Sequence, residues 1–278
     1  MAGVRIVTDS SCDLPADLAD AQGITIVPLS IRFGSDELVD RRDLTPAQFW
    51  ERCAASPVLP ETAAPAPGLF AEAYRAALDG GADGVVCINI SSKLSATIQS
   101  AQAAANDLPD GSVRVMDSRS VSMGLGMIAL AAAEAAGAGA TVEEVVGAAE
   151  AAAGRNRVIA TLDTLENLKK GGRIGGAQAL LGSLLSIKPV IEVVDGKVEP
   201  GPKQRTRSRA LRWLVDQVAA EPKIEQLAVM HGAAPDLGEL LDLLSSHFPR
   251  EQIVVADVGP VIGTHSGPRV IGLSYRKG

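Results

Sequence analysis

The 278-residue chain predicts an α/β protein of two domains, a three-layer α/β/α unit on a parallel sheet followed by a two-layer α/β unit on a mixed sheet. Three observations carry this. Short β-branched runs alternate with helical periods through the first half, the pattern of parallel strands covered on both faces. After Arg155 the pattern changes, and PVIEVVDGKVEPG reads as a hairpin turning at Asp195-Gly196, which brings in antiparallel pairing. The hydrophobic share, 46%, is enough for two ordinary cores. The domains are expected at residues 1–156 and 157–278.

The elements follow in order. VRIVTDS (4–10) is a short apolar strand ending in polar residues, and Pro15 to Gln22 reads as a helix with proline near its start. ITIVPLSIRF (24–33) is a second apolar run broken at Pro28. Thr45 caps a helix with Pro46 at its first position, running to about Ala55. Residues 56–68 read as a loop rich in proline and alanine, and 68–78 as a helix. ADGVVCINI (82–90) is a buried strand, 95–108 a helix, VRVMDS (113–118) a strand, and two alanine-rich helices reach about Gly154. The second half gives a strand at 157–163, a short helix at 177–186, the hairpin, a basic helix, two strand–helix pairs beginning IEQLAVMHG and QIVVADV, and a last strand, RVIGLSYR.

Ligands of open parallel sheets gather at the carboxyl ends of the strands. The hydroxyl-rich loops at 8–13, 89–95 and 117–122 are therefore expected to face one crevice.

Composition excludes several functions. The net charge of −7, with 3% aromatic residues, argues against nucleic acid as the main partner. Mean hydropathy is +0.17, yet no apolar run spans a bilayer; the nearest, Val121 to Ala140, is broken by glycines, a serine and Glu134. The N-terminus enters a strand pattern with no signal-peptide profile. Cys12, Cys53 and Cys87 are odd in number and far apart, as expected of reduced thiols in a cytoplasmic protein. Cys87 falls in a strand and Cys53 on a helix. Cys12, in a loop, has no base beside it in sequence and reads as a spectator.

NISSKLSAT (89–97) runs from a strand into a helix, with Ser95 where an N-cap belongs. Free backbone N–H groups and the helix dipole favour an anion there. A cap alone would use one hydroxyl, and this loop holds Ser91, Ser92, Ser95 and Thr97. His265 lies in GPVIGTHSGPRVIG, where glycine and proline imply a tight loop; hydrogen bonding to a ligand and to local carbonyls are both open. His231 reads as structural, and His247 as solvated on an amphipathic helix. KQRTRSRALRW (203–213) reads as a solvated basic face, with docking of an acidic partner as the sharper alternative. GLGMIA (124–129) matches the letters of a dinucleotide fingerprint, but the preceding strand ends near Asp117 and the glycines fall inside a helix. No phosphate loop, metal-ligand spacing or GxSxG elbow is present.

Taken together, TDSSCDLP (8–15), the Thr62 loop before PAPGLF (65–70), ISSKLSATIQSA (90–101) and DSRSVSMGLG (117–126) resemble the DegV family of bacterial fatty-acid-binding proteins. So do TLDTLENLKKGGRIGGAQALLGSLLSIKPVI (161–191), KQRTRSRA (203–210) and GPVIGTHSGP (259–268), so that the resemblance spans essentially the whole chain. It implies a DegV-like fold of two α/β domains with an acyl chain in an apolar tunnel at their junction. It implies a carboxylate held by Thr62, Ser95 and His265, with Arg173 of KGGRIGG near the same site. It further implies a carrier without cofactor or catalysis of its own, which presents its fatty acid to a separate fatty acid kinase for acyl-phosphate formation, with Arg205 contacting that partner. Two motifs depart from the family. Its T-S-Q-P reads Thr62-Ala63-Ala64-Pro65 here, and its L-S-G-T reads Leu94-Ser95-Ala96-Thr97, so one hydroxyl and one amide are gone and Ala96 adds a Cβ.

Two other functions are weighed against the carrier. One is a serine-type acyl hydrolase or transferase using Ser95 and His265, which would need a base oriented by a third group. The other is a nucleotide-binding oxidoreductase built on GLGMIA.

Overall fold

The computed structural model describes residues 3–181 and 187–278. Its first half runs β1 (Val4–Asp9), α1 (Ala16–Ala21), β2 (Ile24–Val27), β3 (Ser30–Phe33), β4 (Asp36–Val39), α2 (Pro46–Ala55), β5 (Glu61–Ala63), α3 (Pro67–Asp79), β6 (Gly84–Asn89), α4 (Thr97–Asn106), β7 (Val113–Asp117), α5 (Met123–Gly137) and α6 (Val142–Arg155). Helix starts follow local chemistry. Thr45 and Gln48 close a capping box ahead of α2, with Pro46 at the first position, and Thr141 with Glu144 does the same for α6.

β2, β1, β6 and β7 pair in that order, all parallel. Alternate residues of each strand point to opposite faces. Val7, Val85 and Cys87 meet Phe70 and Tyr74 of α3 and Ala101 of α4. Ile6, Val86 and Ile88 meet Leu125 and Ile128 of α5 and Val145 of α6. The result is the predicted α/β/α sandwich.

The second half continues with β8 (Asn156–Thr161), α7 (Glu166–Lys170), β9 (Val190–Val194), β10 (Lys197–Pro200), α8 (Arg207–Ala219), β11 (Ile224–His231), α9 (Leu237–Ser245), β12 (Ile253–Asp257), α10 (Pro260–Ser266) and β13 (Ile271–Lys277). A six-stranded mixed sheet forms in the order β10-β9-β8-β13-β11-β12. Asp195 and Gly196 turn the β9–β10 hairpin with positive φ at both residues, 48° and 78°. One face, with Ile159, Val229 and Leu273, is covered by Leu211 and Leu214 of α8 and Leu240 and Leu244 of α9. The other face, with Val158, Ala160, Ile191 and Met230, joins the same core as α5. Helix α5 thus lies between the two sheets, which explains a sequence apolar on all sides and built from small residues.

Several expectations needed correction. Pro28, which cannot donate to a ladder, divides 24–33 into β2 and β3, and these join different sheets. The segment 56–68, expected as a loop, contains β5, which pairs antiparallel with β3 and completes a three-stranded sheet, β4-β3-β5. His265 lies on helix α10, not on a loop. His247 is exposed in a turn after α9. Cys12 lies in a buried 3-10 turn, Ser10–Cys12. The helix expected at 177–186 is a 3-10 segment at Gly175–Leu180, and residues 182–186 of it fall outside the described residues.

Candidate functional site

The polar loops at the carboxyl ends of β1, β6 and β7 do converge, but most of their hydroxyls hold the loops together. The buried Asp9 carboxylate accepts hydrogen bonds from Ser11 N at 3.1 Å, Ile90 N at 2.8 Å, Asn89 Nδ2 at 3.2 Å and the Ser11 hydroxyl. Ser91 Oγ donates to Gly196 O at 2.7 Å, tying the first sheet to the β9–β10 turn. Ser122 Oγ donates to Asp13 Oδ2 at 2.5 Å, and the other oxygen of Asp13 accepts from Gly259 N at 3.0 Å, just ahead of α10. Burial pushes the Asp13 carboxyl up to about 7.

Beyond this network a channel opens between α5's leading loop, the inner face of the mixed sheet and α10. It is walled by Ile90 and Val121 on one side, by Val158, Ile191 and Met230 on another, and by Val261 and Ile262 of α10. Its volume is about 100 Å3, which makes the channel narrow. Its few polar side chains are Thr62, Ser95, Ser122, Arg173, His265 and Ser266.

Three of these, Thr62, Arg173 and His265, also line a second, outer pocket of about 580 Å3, bounded by Pro57–Pro60, Asn167 and Lys170. They therefore stand where the apolar channel meets open solvent. Thr62 comes from β5 and His265 from α10, and Thr62 Oγ1 lies 2.9 Å from His265 Nε2. Arg173 donates from Nε to Leu94 O at 2.9 Å and from Nη1 to Gly171 O at 2.6 Å, which ties the loop before α4 to the turn after α7. Two of its five N–H groups are thereby used, and three remain.

His265 is packed rather than free. A Cβ on Gly171 would lie 2.3 Å from His265 Nδ1, so only glycine lets the turn approach the ring this closely. Asn167 Nδ2 donates to Thr264 O at 3.2 Å and fixes the same helix. Burial, and secondly the Arg173 guanidinium, hold the imidazole down at about 4, so it is neutral at physiological pH. Nδ1 is buried without a hydrogen-bond partner among the described residues. An unpaired acceptor is tolerated better than an unpaired donor. The tautomer assigned on that ground carries its proton on Nε2 and donates to Thr62 Oγ1, which leaves the threonine proton for an incoming acceptor.

Ser95 does not occupy the N-cap. Ala96 does, and Ser95 Oγ accepts from Thr97 N at 3.3 Å and bonds Thr97 Oγ1 at 2.8 Å. Ser95 still lines the channel. Thus the structure brings Thr62, His265 and Arg173 together at the mouth, with Ser95 on the same wall. Arg205 is elsewhere, exposed in the loop ahead of α8. Its neighbour Arg207 is committed to the fold, forming a fork with Asp236 at 2.6 and 3.1 Å. His231 sits at the end of β11, 3.4 Å from Asp257 of the adjacent strand. Sequence reasoning placed Ser122 only as part of the 117–122 loop and did not find Ser266 or the Pro57–Pro60 rim. Ser266 adjoins His265 in the chain, but only helical placement of both reveals that they share a wall.

The two competing arrangements lack their geometry. His265 bonds Thr62, Ser95 bonds Thr97, and no carboxylate among the described residues orients the histidine. Gly124 and Gly126 sit inside α5, where a Cβ would strike Val158 and Ser120 in one case and Cys12 O in the other. They serve helix packing, not a phosphate turn. Burial pushes the Cys12 thiol up to about 12, consistent with a spectator. No group of three or more metal-ligating residues is assembled among the described residues, and no described helix is long and apolar enough to cross a membrane.

Known proteins fit this architecture closely. The sequence profile of the DegV family, described as uncharacterised proteins, matches residues 3–278. A DegV domain-containing protein of Streptomyces coelicolor is 42% identical over 277 residues, covering 97% of each chain. Among solved structures, one described as fatty acid binding of a DegV family protein from Thermus thermophilus superposes with a TM-score of 0.91 at 35% identity, covering 99% of each chain. A stearic acid-binding protein from Eubacterium ventriosum superposes with a TM-score of 0.87 at 27% identity, covering 100% of this chain and 98% of that one. With a full-length profile match and a relative of that identity, this chain belongs to the DegV family.

Proposed function

We propose that this protein is a cytoplasmic carrier for a long-chain fatty acid, which it holds in the channel and presents by its carboxylate to a separate fatty acid kinase for acyl-phosphate formation. The observation that carries the reading is the polar cluster of Thr62, Arg173 and His265 on the wall shared by a narrow apolar channel and an outer solvent pocket. A linear amphiphile with one anionic end matches that layout. Two relatives of this fold, from Thermus thermophilus and Eubacterium ventriosum, are described as binding fatty acid and stearic acid.

Each residue then has a task. Thr62 donates its hydroxyl proton to one carboxylate oxygen, while His265 orients that hydroxyl from Nε2. Ser95 donates to the second oxygen. Arg173, tied to Leu94 O and Gly171 O, supplies positive charge without having to reorganise. The tail sets affinity: about 0.8 kcal/mol per buried methylene gives a sixteen-carbon chain on the order of 10 kcal/mol before the costs of binding. The headgroup sets selectivity, since a hydrogen bond to a charged group nets only about 1.5–3 kcal/mol. The channel lies where the 1–156 and 157–278 units meet, taking walls from both. The outer pocket leaves a carboxylate oxygen open to a phosphoryl donor held by the kinase, and exposed Arg205 gives that enzyme a basic contact. The carrier itself needs no cofactor.

One experiment separates the two halves of this reading. Hexadecanoic acid binding and kinase-dependent acyl-phosphate formation are measured together for Ser95→Ala and Arg205→Glu. Ser95→Ala is expected to lose about tenfold or more in affinity with its circular dichroism unchanged. Arg205→Glu is expected to keep its affinity and lose the coupled reaction. Full affinity in Ser95→Ala contradicts the headgroup assignment, and normal turnover in Arg205→Glu contradicts the docking assignment.

A further inference from the structure

Ser266 closes α10, one residue after His265, and is 7% exposed. Its hydroxyl has no hydrogen-bond partner among the described residues, although it lies within the channel wall. The contrast with Thr264 on the same helix is informative. That hydroxyl donates back to Pro260 O at 2.8 Å and is satisfied within the helix. Of the other two serines on the wall, Ser122 donates to Asp13 and Ser95 bonds Thr97. A buried hydroxyl left bare is costly, and native interiors rarely tolerate one unless something else meets it. No described residue of the channel wall meets this hydroxyl, which leaves a ligand in the channel to do so.

Position narrows what that counterpart is. Thr62, Arg173 and His265 line both the channel and the outer pocket, whereas Ser266 and Ser95 line the channel alone. Ser266 follows His265 directly on α10 and lines the same channel. A carboxylate offers about four lone-pair sites. The Thr62 and Ser95 hydroxyls fill two of them, and the His265 proton is spent on Thr62.

Resting on the carrier reading above, we propose that Ser266 is a further carboxylate-binding residue, donating its hydroxyl to the inner oxygen of the ligand headgroup. The site then recognises its anion with hydroxyls from β5, the loop before α4 and α10, so that the headgroup itself joins three separate segments of the chain. The hydroxyl is unpartnered in the free protein, so its removal should leave the fold intact. Its effect should depend on the charge of the head and not on the length of the tail.

The test uses delipidated full-length protein and two probes of equal chain length, hexadecanoic acid and 1-hexadecanol. Ser266→Ala is expected to lose about tenfold or more in affinity for the acid, to keep its affinity for the alcohol, and to unfold at a temperature no lower than the parent's. Ser266→Thr, which keeps a hydroxyl, is expected to recover most of the loss for the acid. Equal losses for acid and alcohol would mean that Ser266 only packs the wall, and an unchanged acid affinity would mean that its hydroxyl has no part in binding; either overturns the proposal. Failure of the unsubstituted protein to bind the acid is a different result and removes the carrier reading on which this one stands.

Discussion

His265 is held neutral by its surroundings, and this has a measurable consequence. Its pKa is about 4 in the folded protein against an ordinary value of 6.5. Between those values the unfolded chain binds the proton and the folded one does not, so this residue's contribution to stability is fully present above pH 6.5 and falls as pH drops toward 4. Asp13, raised to about 7 by burial, works in the opposite sense, and its contribution is lost as pH rises through 7. Replacing His265 with Asn should therefore leave the Asp13 slope in place while removing the histidine's. The difference in unfolding free energy between parent and His265→Asn, followed by urea titration, should rise from pH 4 to pH 6.5 and then level off. A difference independent of pH would contradict a buried neutral histidine. At this scale the sequence was informative about residue type and less so about geometry. Thr62, His265 and Arg173 meet as the family resemblance implied. No local pattern revealed that Ser95 stands one residue ahead of the cap, because Ser-Ala-Thr allows the helix to begin at either position.

The element that organises the interior is α5. Both sheets pack on it, and its glycines and alanines let backbone approach backbone. At Gly126 a Cβ would lie 2.9 Å from Cys12 O and 3.0 Å from Leu14 Cγ. Because one of those atoms is main chain, the clash cannot be relieved by a rotamer change. Gly126→Ala should destabilise the protein by about 1–3 kcal/mol despite the better helix propensity of alanine. Chemical denaturation checks this, and a variant as stable as the parent would show that the helix can shift. Most elements were legible because their signals are local: capping Thr45, Asp195-Gly196 at the hairpin, and β-branched runs for β1 and β6. Two were not. β5 is three residues long with one partner strand, and its residues Glu61–Ala63 carry no period to detect. α10 is seven residues long and holds Gly263 with β-branched Val261, Ile262 and Thr264, so its propensity is poor; packing on α2, α7 and β5 makes it helical. These two short elements carry Thr62 and His265, so a motif could name the pair where periodicity could not.

At the scale of the whole molecule, the chain folds two sheets around one shared helix and leaves a narrow apolar space that neither sheet closes alone. The sheet classes and their order were readable from alternation and from the change of pattern after Arg155. The channel was not, since its walls come from residues more than 200 positions apart, such as Leu29 and Val270, each an ordinary core residue in its own segment. Such a space with a polar, partly wet mouth favours a ligand that is mostly hydrocarbon. A protein that binds its ligand chiefly through the tail should retain it through purification. Denaturing the purified protein, extracting it into organic solvent and analysing the extract by mass spectrometry is the most direct test. The account predicts about one equivalent of a long-chain fatty acid per chain. A protein that comes out empty, and that also fails to take up added hexadecanoic acid, would contradict it.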